Sequence, residues 1–144
     1  MSPYFPQEAI NLGAHVKALP VDGTVPHMPG FRWIHTPGHT PGHISLFRAE
    51  DGALIAGDAF VTVKQESLYK VLVQQKEISG PPRYFTTDWL AAFDSVYTLA
   101  ALNPTVAITG HGVPMSGEEL TTNLQKLRDQ FEQIALPTQG RYLN

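Results

Sequence analysis

Apolar residues come in short blocks through the first part of this chain and at helical spacing through the rest. Residues 31–35 are aromatic and β-branched and predict a strand running into Thr36, Pro37 and Gly38. Residues 44–47 and 53–56 predict two more strands, joined by Glu50, Asp51 and Gly52. Asp-Gly between apolar runs marks a hairpin, because glycine accepts the positive φ of the tight turn. Trp89, Phe93, Val96, Leu99 and Ala100 fall near one face of a helix over 88–102, which Asn103 and Pro104 stop. A short buried strand over 105–109 follows. Ser116 and Glu119 have the spacing of a capping box. They open a last helix in which Leu120, Leu124, Leu127, Phe131 and Ile134 share a face, ended by Pro137. Shorter patterns predict a helix end over 7–13, a strand over 14–19, a turn over 21–24, a helix over 64–75 and a loop over 79–87. The order is strands, helix, strand, helix, with no internal repeat, and it predicts a single α+β domain over 1–144.

Composition narrows the partners. With 144 residues, 42% apolar and 16% charged, a buried core is affordable and wholesale disorder is excluded. A net charge of −3 with scattered Lys and Arg leaves no basic stripe for nucleic acid. The absence of cysteine excludes disulfides and thiolate metal sites and is consistent with the cytosol. No apolar run approaches the roughly 20 residues that span a bilayer, and no signal-peptide pattern opens the chain. A cytoplasmic protein with neither membrane nor nucleic acid as a partner is expected.

The chemistry concentrates in a few places. His35, His39 and His43 lie in His-Thr-Pro-Gly-His-Thr-Pro-Gly-His. Their spacing of four suits a helix face, but Pro37, Gly38, Pro41 and Gly42 forbid that helix, so the run is a stiff loop. Such a loop aims an imidazole at a metal with little entropy left to lose, or simply bonds its own backbone. Asp58 follows the apolar strand over 53–56 and a glycine, as a turn former or as a site residue. His111 stands between Gly110 and Gly112 after the strand over 105–109, where backbone or ligand can approach closely. Together, two His and one Asp at strand ends form an N/O donor set that suits zinc.

The His-Thr-Pro-Gly-His-Thr-Pro-Gly-His run, the hairpin, Gly57-Asp58 and the strand leading into Gly110-His111 resemble the metallo-β-lactamase superfamily, nearest its glyoxalase II-like branch. The resemblance runs from about Asp22 to the last helix. It implies half of an α/β/β/α sandwich, the C-terminal half: one mixed, mostly antiparallel sheet with helices on one face. It implies that His39 completes a first metal site, that Asp58 bridges two metals and is catalytic, and that His111 holds the second. Zinc is the implied metal, with iron or manganese as alternatives, and the parent reaction is hydrolysis of an ester, thioester or lactone by metal-activated water. His35 and His43 match no ligand position and are expected to fix the loop or support a ligand from behind.

One departure matters. The family's His-x-His-x-Asp-His motif is absent, since no His-x-His occurs anywhere in the chain. One half alone also leaves an apolar sheet face uncovered. The expectation is a truncated form of such a hydrolase, with a homodimer through that face or a missing N-terminal half as the partner. A catalytically inactive half-fold acting as a homodimeric or complementing assembly module is the alternative. Tyr69, Tyr84 and Phe85, between two of the implied ligands in sequence, are expected to line a substrate pocket or to pack on the domain.

Overall fold

The computed structural model describes residues 11–63, 76–83 and 86–136. The helix expected over 64–75, and Tyr69, Tyr84, Phe85 and Pro137, lie outside the described residues.

Strands β1 (Phe31–His35), β2 (Ile44–Arg48) and β3 (Ala53–Gly57) form an antiparallel meander. The turn between β2 and β3 is tied by Asp51, which accepts from Arg48 Nε at 2.9 Å and from the Ala53 N–H at 3.3 Å. Next come β4 (Val61–Val63) and β5 (Lys76–Ser79), paired antiparallel as a separate two-stranded sheet. Helix α1 (Trp89–Ala101) leads to β6 (Val106–Thr109), which pairs parallel with β3. Strand β7 (Met115–Ser116) adds to the far side of β6, giving the order β1-β2-β3-β6-β7. Helix α2 (Gly117–Asp129) and the short α3 (Phe131–Ile134) complete the described chain.

The sheet is mixed and mostly antiparallel, with its helices on one face. Side chains alternate along each strand, so one face carries Leu54, Ala56, Ala107 and Met115, all buried. They pack with Val96 and Leu99 of α1 and with Leu120, Leu124 and Leu127 of α2. Each Val, Leu or Met side chain among them contributes about 1.5–3 kcal/mol by leaving water. Phe131 of α3 extends this core, edge-on to Phe93 with centroids 5.5 Å apart. The opposite face holds the cross-strand row Trp33, Leu46, Ile55 and Ile108, set by the registers of four strands. None of the four is fully buried, and Ile108 is 49% exposed. No described helix is long and apolar enough to cross a membrane.

Several expectations need correction. Residues 14–19 form no strand; Gly13–His15 is a single 3₁₀ turn closed by the His15 N–H on the Leu12 carbonyl, and the chain joins the β1 edge at Gly23 and Thr24 instead. Of the loop expected over 79–87, Ser79 is the last residue of β5. The strands β4 and β7 escape a pattern search because they are so short, and Val61, Thr62 and Val63 are all buried, so no alternation marks them. Ser116 makes no side-chain cap; it lies in β7 opposite Val106. The last helix breaks at Gln130, where φ is −124° and ψ is 30°.

Candidate metal centre

Asp58 follows β3 and His111 follows β6, and the parallel pairing of those strands sets both ends side by side. The Gly110 N–H donates to the Gly57 carbonyl at 2.8 Å, locking the two ends together. Gly110 leaves room for the carboxylate: a β-carbon on it would lie 2.3 Å from Asp58 Oδ1, so one of the two would have to shift. His39 reaches the same point from the loop between β1 and β2. Its Nε2 is 3.6 Å from Asp58 Oδ2, and His111 Nε2 is 3.6 Å from Asp58 Oδ1. The structure thus brings the three residues together with one imidazole on each carboxylate oxygen. The His39 side chain is nearly buried and that of His111 is 62% exposed.

The histidine loop is held on both sides. Ser95 of α1 donates to the Pro37 carbonyl at 2.7 Å, and the N–H groups of Thr87 and Asp88 both donate to Gly38 at 3.0 Å. His35, exposed, bonds through Nε2 to the Pro41 carbonyl at 2.7 Å and staples the loop across its base. His39 Nδ1 is 3.4 Å from Thr86 Oγ1, and Thr86 spends its own proton on the Pro82 carbonyl at 2.7 Å. Thr86 is therefore an acceptor, His39 carries its proton on Nδ1, and the Nε2 lone pair is left facing Asp58. His43 Nε2 accepts from the Asp58 N–H at 2.9 Å. Burial pushes the His43 imidazolium below its ordinary pKa, against the pull of the Thr36 carbonyl and the Asp58 carboxylate.

His111 is fixed through its backbone. Its carbonyl accepts from Thr62 N–H at 3.1 Å and from Thr109 Oγ1 at 2.8 Å. Thr62, fully buried, also donates its hydroxyl to the Val113 carbonyl at 2.6 Å. Sequence reasoning passes over Thr62 and Thr86. The signal for Thr62 is a lone hydroxyl inside the apolar run Val61-Thr62-Val63; for Thr86 there is none. His15 and His27 are exposed and take no part.

Asp58 Oδ1 is buried and has no hydrogen-bond partner. A carboxylate oxygen kept from water without a donor is unfavourable by itself. At 3.6 Å the two imidazoles stand too far off for a hydrogen bond. Two donors on one tetrahedral zinc, with bonds of about 2.0–2.1 Å, stand about 3.3 Å apart. The donor set and its spacing therefore fit cations on either side of Asp58 better than they fit direct bonding. Among the described residues, however, no three or more His, Cys, Asp or Glu side chains converge on one point. The three form two pairs sharing Asp58, with one imidazole and one oxygen on each side.

Comparisons with known proteins bear on this arrangement. Over 134 residues the chain is 48% identical to "Probable metallo-hydrolase YflN" of Bacillus subtilis (strain 168), covering 93% of this chain and 51% of that one. It is 30% identical over 118 residues to "Probable metallo-hydrolase YybB" of the same organism, covering 81% of this chain and 48% of the other. The chain thus spans about half the length of the curated relatives it matches. A solved structure, of TTHA1623 in a di-iron-bound form, shares the fold with a TM-score of 0.53 at 23% identity, over 82% of this chain and 50% of that one. Residues 3–111 match the family model described as the metallo-beta-lactamase superfamily. The chain belongs to that superfamily.

Proposed function

We propose that this chain supplies part of a metal-dependent hydrolase centre, with His39 and Asp58 Oδ2 toward one cation and His111 and Asp58 Oδ1 toward a second. The observation that carries this reading is Asp58 itself: a carboxylate with an imidazole Nε2 3.6 Å from each oxygen and with Oδ1 buried and unpaired. Divalent cations bound there would acidify water and polarise the carbonyl under attack. The chain's own residues do the positioning. His39 is aimed by Thr86, His111 is fixed through Thr62 and Thr109, and Asp58 spans both sides. The reading includes zinc as the metal, a cytoplasmic setting, and an ester, thioester or lactone as substrate in the manner of the glyoxalase II-like branch. The similarity to probable metallo-hydrolases supports hydrolysis. The di-iron form of TTHA1623 makes iron the metal to test beside zinc.

One imidazole and one carboxylate oxygen do not complete a coordination sphere. In this reading the remaining donors come from outside these residues, through a second copy docked on the Trp33, Leu46, Ile55 and Ile108 face or through a separate N-terminal half. The test is turnover of chromogenic ester, thioester and lactone substrates by zinc-loaded and iron-loaded protein. Turnover that disappears in Asp58→Asn supports the reading; turnover indifferent to Asp58 overturns it.

The lack of three converging ligands among the described residues favours a second reading, a half-fold that assembles without catalysing. It predicts self-association or complementation that is the same with and without metal, and no turnover in either state.

A further inference from the structure

Behind Asp58 a line of hydrogen bonds crosses the three strands of the meander and returns to its starting strand. The Asp58 N–H donates to His43 Nε2 at 2.9 Å. An imidazole accepting at Nε2 carries its proton on Nδ1. That Nδ1 is 3.0 Å from the Thr36 carbonyl and 2.9 Å from Thr36 Oγ1. Thr36 Oγ1 is 2.9 Å from Ser45 Oγ, and Ser45 donates to the Ala56 carbonyl at 3.1 Å. Since the Ser45 proton goes to Ala56, the Thr36 hydroxyl donates to Ser45, which leaves both Thr36 oxygens as acceptors facing the His43 Nδ1 proton. Thr36 and Ser45 are fully buried, so water does not compete for these bonds.

The line begins on the Asp58 amide and ends on the Ala56 carbonyl. It therefore grips β3 on both sides of Gly57, whose φ of +55° turns the chain into Asp58. The grip is close: a β-carbon at position 57 would lie 2.7 Å from His43 Nε2. The His35 side chain, in the same histidine run, bonds the Pro41 carbonyl and makes no hydrogen bond to this line.

We propose that His43 is a positioning residue, held as an Nε2 acceptor by Thr36 and Ser45, and that it fixes the Asp58 backbone so that the carboxylate stands between His39 and His111. The purpose of that carboxylate rests on the metal reading above; the grip on its backbone does not.

Two measurements test this. The first is nitrogen-15 NMR of the metal-free protein at pH 8. The expected result is a protonated Nδ1 and bare Nε2 on His43, with a scalar coupling from the Asp58 amide to that Nε2. A His43 protonated on Nε2 overturns the proposal. The second is zinc affinity by competition with a chromophoric chelator. His43→Ala weakens zinc binding about 10–100-fold, the usual effect of removing a residue that supports a ligand. His43→Gln, whose amide oxygen reaches the place of Nε2, recovers most of that loss, and His15→Ala, at an exposed histidine outside the site, changes little. A Gln variant that regains the parent's melting temperature but not its zinc affinity overturns the positioning role. If the parent takes up no zinc, the metal reading fails by itself, and the tautomer with its Asp58 coupling still decides whether His43 holds this backbone.

Discussion

Gly110 and Asp58 occupy one another's space: a β-carbon on Gly110 would meet Asp58 Oδ1 at 2.3 Å. The β3–β6 pairing and the Gly110 bond to Gly57 hold the backbone in place, so an added methyl must move the carboxylate. In Gly110→Ala the melting temperature stays near that of the parent while zinc affinity falls about tenfold or more. Calorimetry and a chelator competition on the same sample check this; equal affinity in the two proteins would show that the Asp58 carboxylate has no fixed role.

Thr62 joins β4 to the loop after β6. Thr62→Val keeps the shape but removes the donor to Val113, leaving that carbonyl without this partner. The expected loss in urea unfolding is about 1–3 kcal/mol. A loss under a few tenths would mean that the bond is replaced by water.

The two sheet faces differ in what they bury. Leu99→Ala on the helix side opens a cavity and costs about 2–5 kcal/mol. Ile108→Lys on the other face leaves that core intact, and the chain's own unfolding changes little. If a second copy covers this face, sedimentation of the parent shows a dimer and Ile108→Lys a monomer. Equal sedimentation of the two at all concentrations rules out a homodimer through this face.

His43 sets a pH dependence for the metal-free fold. In the unfolded chain it protonates near 6.5; in the fold burial moves that lower. Between those two values the unfolded form binds more protons, so stability present above pH 6.5 is lost as pH falls through that window. Urea midpoints in chelator between pH 8 and 5 drop more steeply for the parent than for His43→Gln. Parallel curves would mean that His43 takes up its proton in the fold as easily as outside it.

Much of this architecture was legible in the residues. The Asp51-Gly52 hairpin, the apolar face of α1 and the strand over 105–109 follow from local periodicity and turn chemistry. The proximity of His39, Asp58 and His111 was reachable only through the family resemblance, because it depends on the parallel pairing of β3 with β6. No local pattern encodes that pairing. For the same reason Thr62 and Thr86 were missed: their partners, Val113 and His39, are distant in sequence. The alternation over 14–19 misled because the chain joins the β1 edge at Gly23 and Thr24 instead, a pairing that no local pattern marks.

The most direct test is metal per chain by elemental analysis, on protein purified without chelator or added metal, beside Asp58→Ala and His39→Ala. The expected result is stoichiometric zinc or iron in the parent and loss of it in both variants. A metal-free parent, or variants that keep the parent's metal, would contradict it.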